Sequence, residues 1–380
     1  MDLKINVKEK LLGIPQEISY TLLLFVSTRI LLTVIGVISR IAYGGVKVYG
    51  ISQYIQLGIL GIWSQGWDSG WYYLIAKNGY STQLNVYNQG NYAFFPLYPL
   101  LMRLLEYITG NYYIAGMVIS NIALIIAGIY LFKLVSLDSD NEVALNSIKY
   151  LFLFPTAFIF SAVLTESLFL ALSIICFYYA KKENWIFTGV SGLFLALTRS
   201  IGIVIVIPLL YMYLRSRNFK LRNIKADVLA LALIPFATFA FFAYLYYLTG
   251  DFLAYFHIER TGWNQYFANP FTVLSTNALS GNVYSLFDVI FILVFLVILI
   301  LLYNKIDFSY WIFGVLATLI PLCDWSVLSM PRYLLVVFPL YIIFAKLSTN
   351  RRFDAYVPIL LALTQGFLMV LWVNQSILIV

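Results

Sequence analysis

A chain of 380 residues that is 62% hydrophobic and only 11% charged, with a mean hydropathy of +0.87, cannot bury its apolar surface in a water-soluble core. Soluble domains are roughly half apolar and a quarter charged, whereas a bilayer absorbs about 20 apolar residues in each helix that spans its slab of about 30 Å. The two cysteines, Cys176 and Cys323, sit in or beside apolar runs, so neither a disulfide framework nor a zinc site is implied. The net charge of +7 raises nucleic-acid binding as a reading, but the placement of the charges argues against it.

Taken in chain order, the expected membrane spans cover 18–39, 112–132, 146–162, 166–180, 185–198, 200–214, 226–248, 284–303, 309–322, 331–347 and 355–378. The first of them reads as an uncleaved signal anchor, because no small-residue cleavage site follows it. With the N-terminus placed in the cytoplasm, 16 of the 24 Lys and Arg residues fall on the cytoplasmic side, as the positive-inside rule requires. The basic balance then reports topology, and no nucleic-acid partner is expected. The expected fold class is an all-α integral membrane protein, a polytopic bundle of eleven transmembrane helices forming one domain over 1–380.

Two external loops are long enough to hold a site. The first, 40–111, is rich in Tyr, Trp, Asn and Gly and contains two amphipathic stretches, 69–77 and 97–107, expected to lie along the membrane surface. The second, 249–283, carries the chain's only histidine, His257, together with Glu259, Arg260 and Trp263. Cytoplasmic connections are short and basic apart from Asp138, Asp140 and Glu142. Chemistry is therefore expected on the extracytoplasmic face.

Between the basic segments 181–182 and 215–225 the chain has about 30 residues in which to cross and return. Each arm is then only about 20 Å long at 1.5 Å per residue. The turn, which holds Arg199, must lie shallow in the membrane. The preceding hairpin, 146–180, turns at Thr165 and Glu166 in the same way. Interrupted hydrophobic segments of this kind mark irregular backbone lining a cavity.

Asp68, in the string WDSGWYYLIAKNGY, is the sharpest single residue. On spacing alone the favoured reading is an N-cap of a helix over 69–77 that Asn78 and Gly79 terminate. The functional reading is a surface carboxylate that takes a proton from an incoming hydroxyl. Arg29, Glu166, Arg199, Asp324 and Arg332 are charges within or beside apolar sequence. Such a charge at the bilayer centre costs about 2.5 to 3.5 kcal/mol on insertion scales, so a partner or a functional cavity is the default. Each has an ordinary role open to it: Glu166 at a helix start complements the dipole, Arg29 serves as a structural ion-pair partner, and Arg332 snorkels to the interface. Taken together, they suggest a site for a negatively charged lipid headgroup, with arginine suited to phosphate. The aromatics, including Trp67, Trp71 and Tyr72, are foremost interfacial belts, with stacking on pyranose faces a further use. A lone His such as His257 is more often a hydrogen-bonded loop residue than a base.

The strings WDSGWYYLIAKNGY, YAFFPLYPLLMRLL, LFPTAFIFSAVLTESLFLALS, ALTRSIG and SMPRYLLVVFPL resemble those of the PIG-V type mannosyltransferases, the family named for the second mannosyltransferase of glycosylphosphatidylinositol synthesis. The resemblance runs in order from about residue 20 to 340 and is densest between 60 and 205. It implies the GT-C glycosyltransferase fold, with juxtamembrane helices and a catalytic Asp in the first external loop, and a polyprenyl-phosphate sugar as donor. The matching acidic position is Asp68, which the resemblance makes the catalytic base. Glu166 falls in TESLF, Arg199 in TRSIG and Arg332 in PRYLL. With Trp67, Trp71, Tyr72, His257 and Asp324 they form the expected set that binds donor phosphate and substrate.

The expected activity is inverting transfer of mannose or another hexose from a polyprenyl- or dolichyl-phosphate sugar to a lipid-linked or glycan acceptor outside the cytoplasm. The site would face out of the plasma membrane in a prokaryote, or into the endoplasmic reticulum in a eukaryote. No P-loop or dinucleotide fingerprint is present, no cofactor is required, and no ligand cluster calls for a divalent metal. Partners would be the donor, the acceptor, membrane lipids and, on one reading, a companion subunit. A secondary transporter or lipid flippase is the rival reading, and a noncatalytic subunit that keeps the fold is a third.

Overall fold

The computed structural model describes residues 14–43, 58–64 and 66–374. Among them the secondary structure is helical, with one isolated antiparallel bridge between Phe267 and Asp324. Helix α1 runs over Gln16–Ala42. The juxtamembrane pair α2 (Ser69–Asn78) and α3 (Leu97–Thr109) follows, each closed by a glycine with positive φ, Gly79 or Gly110, where a side chain would strain the turn. Asn111 opens α4 (Tyr112–Val135) by accepting from the backbone N–H of Tyr113 and Ile114. Asp140 caps α5 (Asn141–Leu153) likewise, satisfying donors that a helix start leaves free. Next come α6 (Glu166–Lys181), α7 (Trp185–Ala196) and α8 (Val206–Ser216), the last entered through a 3₁₀ segment Ser200–Ile205. A second 3₁₀ segment, Ala226–Ala232, leads into α9 (Leu233–Thr249). Helices α10 (Ala254–Trp263), α11 (Pro270–Leu279), α12 (Val283–Leu301), α13 (Phe308–Leu322), α14 (Met330–Leu335), α15 (Pro339–Leu347) and α16 (Arg351–Val373) complete the described chain.

Five helical stretches are long and apolar enough to cross a membrane: Gln16–Ala42, Tyr112–Val135, Ala226–Thr249, Val283–Leu301 and Arg351–Val373. Shorter apolar helices lie at Trp185–Ala196, Ser200–Ser216 and Phe308–Leu322. The protein is thus a helical, membrane-embedded one. Several expected spans are not continuous helices. The stretch 146–162 breaks after Leu153 and resumes as a 3₁₀ turn at Ala157–Ser161, because Pro155 disfavours helical backbone at the residue before it. The stretch 331–347 divides into α14 and α15, with Pro339 at the first position of the second helix, where its missing N–H costs nothing. The expected loop 249–283 is itself folded into α10 and α11. The last expected span, 355–378, is helical to Val373, and its remainder from 375 lies outside the described residues, as does part of the first external loop at 44–57 and 65.

The core is built where α4 packs against α6 and α3, α6 against α7, α15 against α5, and α7 against α9. Close approach of α7 to the segment entering α9 depends on Gly189, where a Cβ would fall 2.1 Å from the Ala230 carbonyl oxygen. Small residues serve this purpose between membrane helices because packing, not hydrophobicity, drives their association. The break between α5 and α6 exposes carbonyls inside the core, and neighbouring helices satisfy them. Gln365 of α16 donates to the Phe152 and Phe154 carbonyls at 3.0 and 2.9 Å. Arg29 of α1 donates to the Ala157 carbonyl at 3.1 Å and to Ser161 Oγ at 2.8 Å. The expected role of Arg29 as an ion-pair partner is therefore corrected: among the described residues it pairs with no carboxylate, and it closes a broken helix instead. This is how irregular backbone is tolerated at depth.

Candidate functional site

The break between α5 and α6 delivers Glu166 to the first turn of α6 with its side chain 1% exposed. The short hairpin α7 to α8 turns at Arg199, whose Nη1 donates to Glu166 Oε1 at 2.7 Å. From the opposite side α14 brings Arg332, whose Nε lies 2.9 Å from the same oxygen. That N–H does not point at the oxygen, and Arg332 Nε and Glu166 Oε2 keep unused hydrogen-bonding capacity. Arg332 Nη2 donates to Asp68 Oδ2. Four residues more than thirty positions apart in every pairing thus form one chain of charge: Asp68, Arg332, Glu166, Arg199. The formal sum is zero, which lets the group exist in surroundings where a single buried charge would cost several kcal/mol.

Two sequence-based readings need correction. Helix α2 begins at Ser69, directly after Asp68, but the Asp68 carboxylate makes no capping bond. Its backbone carbonyl starts the helix, accepting from Trp71 and Tyr72 N–H, while the side chain is turned to Arg332. The cause is the backbone just before it: Trp67 holds φ at +55° and Gly66 at +77°, conformations that a bulky residue adopts only when the surroundings impose them. Arg332 does not snorkel either, since it is 6% exposed and is held between Asp68 and the buried Glu166. Ser329, three residues before it, is also left-handed, at φ +67°.

Tyr333 and Tyr72 lie beside the charges, and further rings pack onto Tyr72. The guanidinium carbons of Arg199 and Arg332 stand 4.8 and 5.8 Å from the centre of the Tyr333 ring, a cation–π arrangement. Trp71 stacks on Phe94 and meets Trp263 edge-on, both at 5.7 Å, and Tyr72 packs edge-on against Phe94 and Tyr98. Burial, reinforced by Asp68, holds the Tyr72 phenol well above its ordinary range, so it stays neutral. Trp67 is half-buried against the main core and acts on Asp68 through the backbone.

Helix α10 adds Glu259, which the sequence marks in the second external loop but leaves outside the expected binding set, and brings it near the expected Asp324. Burial, then the nearby Asp68 and Asp324, push the Glu259 carboxyl up to about 8, with Tyr255 as its hydrogen-bonding neighbour. Burial alone pushes Asp324 up to about 6. Asp324 is placed by the Phe267 bridge and by the Ala268 N–H donating to the Cys323 carbonyl at 2.6 Å. Glu259 therefore lies near both Asp68 and Asp324 and links the second external loop to the charged chain. The signal for it was the pair Tyr255 and Glu259, four apart and so on one face of a helix. Tyr333 was equally visible beside Arg332 in PRYLL. His257, by contrast, stays outside the cluster: its side chain is 65% exposed and paired with Asp251. Among the described residues no group of three or more His, Cys, Asp or Glu is arranged to hold a metal ion.

Chemically, the arrangement offers one carboxylate held by an arginine, a second arginine one contact away, spare polar capacity on Arg332 and Glu166, and aromatic rings alongside. No protein-family model matches the chain, and no curated protein matches it.

Proposed function

We propose that the protein is a membrane-embedded inverting glycosyltransferase that moves mannose, or another hexose, from a polyprenyl- or dolichyl-phosphate donor to a hydroxyl of a lipid-linked or glycan acceptor. The observation that carries the reading is the contact of Asp68 with Arg332, which also faces Glu166 and, through it, Arg199. It sets a general base beside two guanidinium groups suited to a phosphodiester. The resemblance of the strings around Asp68, Glu166, Arg199 and Arg332 to the PIG-V type mannosyltransferases supports the same assignment, and with it the GT-C fold; the count of eleven crossings rests on the apolar spans of the sequence.

The step needs few parts. The donor's phosphate oxygens take up donors on Arg332 and Arg199, and in doing so compete with Asp68 for Arg332. Asp68 accepts the acceptor's hydroxyl proton as that oxygen attacks the anomeric carbon. The bond from the anomeric carbon to the phosphate oxygen breaks with its electron pair, leaving a polyprenyl phosphate and an inverted glycosidic bond. General-base assistance is worth about 10²- to 10⁴-fold, and the guanidinium groups stabilise the charge that grows on the leaving phosphate. Trp71, Phe94 and Trp263 offer apolar faces to a sugar ring. The active site would be extracytoplasmic.

A secondary transporter or lipid flippase is the second reading, favoured by the interrupted helices at 154–165 and 336–338 that adjoin the charged group. The deciding experiment supplies purified protein with polyprenyl-phosphate-[³H]mannose and lipid acceptors, with product followed by chromatography and mass spectrometry. A new glycosidic bond is the expected result. Movement of solute or lipid across vesicles with no bond formed would overturn the enzyme reading in favour of transport, and neither activity without a companion chain would indicate a noncatalytic subunit.

A further inference from the structure

The opposite end of the bundle carries a second polar feature that the transfer reaction does not use. From Arg199 the chain runs through Ser200–Ile205 and α8, so Arg217 lies roughly 25 to 30 Å from the charged cluster at 2.0 and 1.5 Å per residue. There the connection to the segment entering α9 folds back on itself through Asn218 and Phe219, both near φ +54°. Two side chains fix this turn. Asn223 Nδ2 donates to the Arg217 carbonyl at 3.1 Å, and the Tyr213 hydroxyl accepts from Lys225 N–H at 2.9 Å while donating to Asp227 Oδ1 at 2.7 Å. The result is a pocket of about 370 Å³ lined by Ser216, Arg217, Arg222, Asn223, Ile224 and Lys225.

The charges around it do not cancel. Arg217 is engaged by Glu183 and Asp227, and Asp307 by Arg215 and Lys181. The nearby carboxylates are thus already paired, while Arg222 and Lys225 have no ion pair among the described residues. The same loop turns apolar side chains outward: Leu221 is 80% and Phe219 59% exposed. Free basic groups alternating with exposed apolar ones suit a membrane surface, where hydrocarbon takes up the apolar groups and headgroups meet the cations.

We propose that this pocket binds the phosphate of an anionic lipid headgroup, with Arg222 and Lys225 as its cationic contacts and the second Nδ2 hydrogen of Asn223 as a hydrogen-bond donor. Basic pockets at the cytoplasmic ends of membrane helices recognise such headgroups through the charges of their Lys and Arg side chains. The flanking Phe219 and Leu221 rest in the acyl region and set the depth of the loop. This reading is independent of the proposed transferase activity, since it requires nothing of Asp68 or its partners.

Full-length protein in a neutral detergent should be titrated with short-chain phosphatidylglycerol, phosphatidylcholine and glycerol 3-phosphate, with bound lipid read by native mass spectrometry and Tm in parallel. Phosphatidylglycerol should bind and raise Tm, phosphatidylcholine should do so far less, and Arg222→Ala/Lys225→Ala should weaken phosphatidylglycerol binding by about tenfold or more. Lys220→Ala removes a charge from the same loop without touching the pocket and should leave binding within about twofold. Equal binding of both lipids, or an equal loss in Lys220→Ala, would overturn the pocket in favour of diffuse surface charge. A Tm rise from glycerol 3-phosphate that matches the lipid's would overturn the lipid as the source of the phosphate. All three positions are exposed, so the variants should fold, and unchanged wild-type Tm without lipid verifies this.

Discussion

Replacing Asp68 with Asn separates charge from shape. In the structure the carboxylate caps nothing; it accepts from Arg332, which keeps Glu166 as a second partner after the change. An Asn oxygen can still accept from the guanidinium, so the loss is the difference between a charge-assisted and a neutral hydrogen bond, about 1 kcal/mol. Asp68 is 21% exposed, which tempers the cost of leaving Arg332 with less compensation. Asp68→Asn should therefore lower Tm by only a few °C. Turnover should fall by roughly 10²-fold or more, because the amide cannot take up a proton. Thermal unfolding and initial rates of sugar transfer at saturating donor are to be measured on one detergent preparation. A well-folded Asp68→Asn protein with wild-type turnover would refute Asp68 as the base and turn attention to Glu259, the carboxyl near it, and then to Asp324.

Other expectations can be tested alongside. Arg332→Gln removes the shared partner of Asp68 and of the buried Glu166 and should destabilise by about 3 kcal/mol or more; adding Asp68→Asn should recover part of that loss in a double-mutant cycle of unfolding free energies. Glu259, raised by burial to about 8, contributes stability that is fully present below its ordinary value of 4.5 and is lost as pH rises towards and through 8. Tm should accordingly fall between pH 6.5 and 8, a window above the titration of Asp324 near 6, and the fall should be shallower in Glu259→Gln; identical slopes would remove Glu259 from this account. Gln365→Leu orphans the Phe152 and Phe154 carbonyls and should cost about 2 to 5 kcal/mol, whereas a neutral change in chemical or thermal unfolding would show that the break is held by other means. For topology, single cysteines at Asn88 and Asn264 should react with an impermeant thiol reagent from outside, and one at Asn218 only after permeabilisation; labelling of Asn88 and Asn218 from one side would rule out the proposed arrangement.

Composition and periodicity were enough to place this chain in a membrane and to mark α2 and α3 as short amphipathic helices, because an excess of apolar residues and a 3.6-residue pattern are local quantities. The same local logic flagged Asp68, Glu166, Arg199 and Arg332 as charges in costly places. What local sequence did not contain was their pairing. The cap reading of Asp68 was sound by residue preference and fails only because the left-handed turn at Gly66 and Trp67 aims the carboxylate at an arginine 264 positions away. Arg29 looked like half of an ion pair, and its partner turned out to be the backbone of a broken helix, a demand that exists only once α5 and α6 have packed. Glu259 reaches the site, and Asp324 reaches Glu259, through the folding of 249–283 into α10 and α11 and the bridge at Phe267. Sequence prices each buried charge singly, whereas the tertiary structure decides which charges compensate one another, since Coulombic attraction and desolvation depend on distances that only the packed helices set.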